Sequence, residues 1–207
     1  MTSYKPIIYV VDDDLSVRRA LSLLLKSHGF KVETFMRAAD FLAFKRLLLP
    51  SCLVLDIQLP DMSGLALQEE MELRGIFIPI VFVTGHGSIP MSVKGMKAGA
   101  IDFLTKPFTK KKLLEAIALA ISRNKVQNKE FAEIAKIKRR VKTLSSRELE
   151  VFRLVAKGML SKQIARKRGT VLQTIKIHRG RVMHKMQAKT LAELVHFARK
   201  VGIITSL

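Results

Sequence analysis

The chain has a single cysteine, Cys52, among 207 residues. That excludes a disulfide framework and any zinc site built on cysteines. Cys52 sits in the apolar stretch Cys52–Leu55 and reads as a small buried hydrophobe rather than a reactive thiol. Long apolar runs are also missing: Ile7–Val11 and Ile76–Val83 are far too short to span a bilayer. The N-terminus has neither the basic segment nor the sustained apolar stretch of a signal peptide, so a cytoplasmic location without membrane attachment is expected. His28, His86, His178, His184 and His196 show no metal-ligand spacing, which argues against zinc. Acidic residues are scarce in one part only. Residues 1–120 hold 15 Lys+Arg and 12 Asp+Glu, whereas residues 121–207 hold 22 and 5. A near-neutral front and a strongly basic rear imply different partners, and a polyanion suits the rear.

What is present begins with alternation. Ile7–Val11, Val32–Phe35, Leu53–Leu55, Ile78–Val83 and Ile101–Leu104 are short, apolar and rich in β-branched or aromatic residues, as buried parallel strands are. Amphipathic segments lie between them, at roughly 15–27, 38–47, 64–73, 89–98 and 109–122. Gly29, Gly75 and Gly99 follow three of these, where helix C-caps are expected. Five such pairs predict a doubly wound α/β sandwich with a five-stranded parallel sheet over residues 1–122. Residues 123–142 are charged but keep Phe131, Ile134, Ile137 and Val141, and read as a solvated helical linker. Residues 143–207 are expected to form a small all-α domain. Its helices are expected at Ser146–Ala156, at Ser161–Lys167 with Ser161 as N-cap, at about 172–186 and at Thr190–Lys200. A short helix, a Gly169-Thr170 turn and a longer basic helix form a helix-turn-helix pattern.

The strand-like runs end in chemistry. Val10-Val11 runs into Asp12-Asp13-Asp14, and later runs end at Asp56, Thr84 and Lys106. Parallel strands would deliver these residues to one sheet edge. Crowded carboxylates repel and favour a divalent cation, while a lysine and a hydroxyl complete a pocket for a phosphoryl group. Asp14 is better read as a helix N-cap than as a ligand, and Asp61 and Asp102 as loop solvation.

The segments Val10–Asp14, Leu55–Gly64, Val83–Gly87 and Asp102–Phe108 together resemble the receiver domain of bacterial two-component response regulators. The resemblance implies a flavodoxin-like fold, with Asp56 as phosphoacceptor. It also implies Asp12, Asp13, Asp56 and the backbone carbonyl of Gln58 as Mg²⁺ ligands. Thr84 and Lys106 would bind phosphoryl oxygens, Phe103 would be a rotameric switch, and Lys106-Pro107 is a candidate cis bond. The rear carries Leu144–Val151, Leu154–Gly158, Lys162–Ala165, Thr174–Met183 and Ala192–Val195, and resembles the LuxR-type helix-turn-helix of the FixJ/NarL group.

Helical spacing divides the third rear helix. Ile175, Val182, Met183 and Met186 are expected to pack inward, and Lys176, Ile177, Gly180 and His184 to face bases in the major groove. Lys162, Thr174, His178, Arg179 and Arg181 lie better for phosphates, although some of these cations are expected to be plain solvated surface. Three positions depart from the family pattern. Val171 stands where Ser is usual, so Thr170 is expected to cap one residue early. Arg168 replaces a core Leu and must snorkel outward, and Gly95 interrupts a helix where Ala is common. The implied partners are a sensor histidine kinase and double-stranded promoter DNA, with homodimerisation on phosphorylation and RNA polymerase as a possible further partner. The expected role is phosphorylation-controlled transcription rather than dedicated enzymatic activity. The alternatives are a DNA binder that ignores phosphorylation and a Mg²⁺-dependent phosphatase.

Overall fold

The structure, a computed structural model, describes residues 5–47, 49–85 and 88–204. Two compact units divide at Asn128/Lys129, inside the segment read as a linker.

In the first unit the strands β1 (Ile7–Val11), β2 (Lys31–Phe35), β3 (Ser51–Asp56), β4 (Ile80–Thr84) and β5 (Asp102–Thr105) form one parallel sheet in the order β2-β1-β3-β4-β5. β1, β3 and β4 are buried throughout, as their unbroken apolar runs require when helices cover both faces. Alternate residues point to opposite sides. Ile8, Val10, Cys52, Val54, Val81 and Val83 join one core with Leu25, Leu113 and Ile117. Tyr9, Val11, Leu53, Leu55 and Phe82 join the other with Phe41, Leu67 and Met71. Burial drives the Cys52 thiol well above its ordinary pKa, so it stays an unionised hydrophobe.

The helices are α1 (Leu15–Ser27), α2 (Ala38–Ala43), α3 (Gly64–Leu73), α4 (Ile89–Lys97) and α5 (Lys110–Val141). Asp14 caps α1 as expected, accepting from the N–H groups of Ser16 at 2.7 Å and Val17 at 3.4 Å. Those bonds hold its carboxyl below the usual range. α2 ends at Ala43, not near 47. Phe44 turns extended to stack edge-on against Tyr9 and Phe35, and the Arg46 guanidinium bonds the carbonyls of Phe41 and Leu42 at the freed helix end. Asp61 is not loop solvation. It accepts from the N–H groups of Ala38 at 3.2 Å and Ala39 at 2.9 Å, capping a helix whose own cap residue, Arg37, makes no side-chain cap bond.

α5 is one helix of 32 residues that continues through the linker segment. That segment is not solvated throughout. Asn124 is 1% exposed, and its carboxamide accepts from Ser51 N–H at 2.9 Å, extending β3 two residues earlier than expected. Ile137 is buried with the second unit's core.

That second unit contains α6 (Ser146–Ala156), α7 (Ser161–Arg168), α8 (Leu172–Met186) and α9 (Leu191–Lys200). Val151, Phe152, Val155, Ile164, Ile175, Val182, Met186, Leu194 and Ala198 form its core. Two cap expectations fail. Leu160, not Ser161, is the cap of α7, with the Gln163 carboxamide accepting its N–H at 2.8 Å. Val171, not Thr170, caps α8 and makes no side-chain bond, because valine carries no acceptor. Arg168 does reach outward, to Glu150 at 2.8 Å. No helix among the described residues is long and apolar enough to cross a membrane.

α6 starts with a reciprocal capping box. Ser145 Oγ accepts from Glu148 N–H, and Glu148 Oε2 accepts from Ser145 N–H at 2.8 Å. The same Glu148 oxygen takes the Lys185 ammonium at 2.6 Å, tying α6 to α8. The Lys185 bond, then the Ser145 N–H, depress the Glu148 carboxyl from 4.5 to about 2. A depressed carboxyl contributes stability that is complete above its unfolded pKa and lost as pH falls through its folded one. Glu148→Gln keeps the cap but removes the charge. It should cost about 1–3 kcal/mol near neutral pH, and the gap in thermal midpoint between the two proteins should close between pH 4.5 and pH 2. A gap constant across that window would show that the ion pair contributes nothing.

α3 begins where space is shortest. A Cβ on Gly64 would lie 2.4 Å from the Asp56 carbonyl oxygen and 3.0 Å from Ile57 Cα, both backbone atoms. Gly64→Ala should therefore destabilise the first unit by about 2–3 kcal/mol, measured by urea unfolding. An unchanged midpoint would mean the backbone there yields freely.

Candidate functional site

The register of the sheet assembles the site. Val11 lies beside Leu55 in the β1–β3 pairing, so Asp12 and Asp56 leave adjacent strands at the same level. Asp56 pairs with Val83 and Thr84 with Thr105, so Thr84 and Lys106 follow at the same sheet edge. Chain order reverses at β1 and β3, which makes this edge the crevice where open α/β sheets hold ligands.

Asp12, Asp13 and Asp56 each bring one carboxylate oxygen within 4.8 Å of the others. Asp12 is fully buried, Asp56 nearly so, and Asp13 is exposed. The Lys106 ammonium bridges the two buried acids, 2.7 Å from Asp12 Oδ2 and 2.9 Å from Asp56 Oδ2. Burial raises the Asp12 pKa, and the Lys106 hydrogen bond offsets only part of that shift. Burial alone would lower Lys106, but its bonds to Asp12 and Asp56 prevail and its pKa rises. The second oxygen of each carboxylate also accepts one bond and keeps a lone pair free. Asp12 Oδ1 accepts from Asp14 N–H at 3.0 Å, and Asp56 Oδ1 from Gln58 N–H at 3.2 Å. Arg18, a residue sequence reasoning passed over, donates to the Asp12 carbonyl at 2.7 Å.

The donor set is all oxygen and negatively charged, and Asp13 opens it to solvent. That chemistry fits a hard cation such as Mg²⁺ and not a soft one.

Thr84 is buried, and its carbonyl accepts from Lys106 N–H at 2.8 Å. The Lys106-Pro107 bond is cis, as the resemblance implied. Phe103 is half-buried, its ring 6.0 Å from that of Phe82. Phe82 in turn explains Gly95: a Cβ there would lie 2.9 Å from Phe82 Cε2. The ring leaves no room for a side chain at that position. Buried Gln68, another residue missed in sequence, donates to the carbonyls of Gly95 at 3.3 Å and Ala98 at 3.0 Å. His86 and Gly87 of the Val83–Gly87 motif lie outside the described residues.

In the second unit, Ile175, Val182 and Met186 point inward with Met183 partly covered. Lys176, Ile177, Gly180 and His184 are all exposed on the other side of α8. Lys162 and Arg181 are exposed, whereas Thr174, His178 and Arg179 are half-buried. His178 Nδ1 is enclosed, with no hydrogen-bond partner among the described residues, so that nitrogen does not face outward.

Comparisons with known proteins agree with this layout. Residues 8–118 match the response regulator receiver domain and residues 142–198 match the luxR family of bacterial regulatory proteins. Nodulation protein W of Bradyrhizobium diazoefficiens is 45% identical over 201 residues, covering 97% of this chain and 88% of that protein. The transcriptional regulatory protein FixJ of Rhizobium meliloti is 39% identical over 202 residues, 98% of each. Among solved structures, the response regulator StyR matches with a TM-score of 0.82 at 44% identity, over 95% of this chain and 100% of that one. Receiver and helix-turn-helix thus occur in the same order and over nearly the whole length of these relatives. The chain belongs to the two-component response regulators that join a receiver domain to a luxR-type DNA-binding domain and regulate transcription.

Proposed function

We propose that Asp56 accepts a phosphoryl group from a sensor histidine kinase, and that this controls promoter binding by the C-terminal unit in the cytoplasm. The observation that carries the reading is the Lys106 ammonium held between Asp12 and Asp56, with Asp13 beside them. Asp12, Asp13, Asp56 and the Gln58 carbonyl would hold Mg²⁺, which supplies charge neutralisation and in-line orientation when bound. An Asp56 carboxylate oxygen attacks phosphorus, the bond from phosphorus to the histidine nitrogen breaks, and an acyl phosphate forms. Lys106 offers a fixed positive charge to the new oxygens and Thr84 a hydroxyl. The added charge shifts the balance within the pocket. Thr84 moves toward the phosphoryl group, and Phe103 turns into the space vacated. The reading includes no dedicated enzymatic activity.

Downstream, the altered α4–β5 face favours a homodimer, and two weakly bound half-sites then act together. Lys176, Ile177, Gly180 and His184 read bases, while Lys162, Thr174, His178, Arg179 and Arg181 meet phosphates. The enclosed Nδ1 leaves only Nε2 of His178 for that task. RNA polymerase is a further partner in this scheme.

Two experiments test it. Asp56→Asn, treated with a small phosphodonor and Mg²⁺, should lose phosphoryl labelling, as read by mass spectrometry of the intact chain. Labelling equal to wild type would remove Asp56 as the acceptor. On a binding-site duplex, Lys176→Ala should relax sequence discrimination by about 1–3 kcal/mol. Arg181→Ala should leave discrimination unchanged and reduce the salt slope by about 1. Equal losses of discrimination would contradict the division between base and phosphate contacts.

A further inference from the structure

The second unit carries far more positive charge than its helix-turn-helix employs. Residues 129–207 contain 20 Lys+Arg and 5 Asp+Glu, and only four of those cations belong to the proposed DNA contacts. Several others are used internally: Arg168 pairs with Glu150, Lys185 with Glu148 and Lys200 with Glu133.

Three are not. Lys129, Lys136 and Arg139 lie at i, i+7 and i+10 of α5, so they share one helical face. All three are exposed, and no ion pair holds any of them among the described residues. Buried Ile137 and partly buried Val141 turn a different face of α5 into the unit's core. The neighbouring acid, Glu133, is occupied by Lys200 at 2.5 Å, and Glu130 projects from another side of the helix by its spacing. The row therefore stays positive along its length.

The row also leads to the recognition helix. Arg140, the next residue, donates to the Met186 carbonyl at 3.1 Å and to the Gln187 carboxamide. It thus joins the end of α5 to the C-terminus of α8, one half-turn beyond exposed His184. From Lys129 to Arg139 the helix rises about 15 Å, over which duplex DNA presents about nine phosphates. Lysine and arginine heads on an exposed helix meet such a backbone without reading bases.

We infer that Lys129, Lys136 and Arg139 form a second duplex contact on α5, bound to the phosphate backbone beyond the groove that α8 enters. This rests on the reading of the C-terminal unit as a duplex binder. It adds affinity and salt dependence but no sequence choice.

The test uses the full chain and a random-sequence 30-base-pair duplex, with affinity measured across salt concentrations. Against wild type, the triple variant Lys129→Gln, Lys136→Gln, Arg139→Gln should lose about 2–3 from the slope of log affinity on log salt. A charge-matched triple elsewhere in the unit, Arg153→Gln, Lys157→Gln, Lys189→Gln, should lose less than about 1. The charge-preserving triple Lys129→Arg, Lys136→Arg, Arg139→Lys should retain the wild-type slope, which separates lost contacts from lost folding. A slope unchanged in the first triple, or reduced equally in the first two, overturns the α5 surface alone. Wild type that fails to bind the duplex at any salt overturns the duplex-binding reading beneath it.

Discussion

The contact on which the first unit depends is a single ammonium between two buried carboxylates. The parallel register of β1 and β3 forces Asp12 and Asp56 to the same level on neighbouring strands. Two like charges at that separation, shielded from water, oppose each other strongly. Lys106 comes from the far side of β4, 94 residues along the chain from Asp12, to neutralise both. The strand order, not the sequence neighbourhood, brings the three together. The same arrangement leaves a shortage of positive charge around Asp13, where an oxygen-seeking cation is at home.

A similar solution recurs in the second unit. Glu148 is buried on α6 and held by Lys185, 37 residues away on α8. Here the pair serves architecture. The glutamate completes a capping box at one helix and anchors the end of another, so α8 is fixed against the body of its domain by charge as well as by Ile175, Val182 and Met186. Each unit thus joins an apolar core to a buried carboxylate held by a distant lysine, the first open to solvent through Asp13 and the second closed.

Much of this was legible in the chain itself. β-branched runs ending in Asp, Thr and Lys announce parallel strands delivering polar groups to one edge, and Asp14 behaves as the cap its position suggests. The failures share a cause. The end of α2 is decided by Phe44 stacking on Phe35 of the preceding strand and on Tyr9 of β1, 35 residues upstream. Asn124 looks like a solvated linker residue until Ser51 and the carbonyl of Phe77 surround its carboxamide. Leu160 and Val171 stand at cap positions although neither side chain can accept a hydrogen bond. Propensity read locally favours the nearest hydroxyl, and tertiary partners override it. Gly95 is the reverse case: visible as an oddity, it makes sense only once the Phe82 ring lies across it.

Asp61 caps α2 from 23 residues downstream, and this has a kinetic consequence. A six-residue helix is too short to persist alone, and its first turn lacks a local acceptor. α2 can become lasting structure only after β3 has threaded into the sheet and the following loop has come round. The second helix in sequence is thereby committed to be a late one in assembly, waiting on the same loop that leaves Asp56.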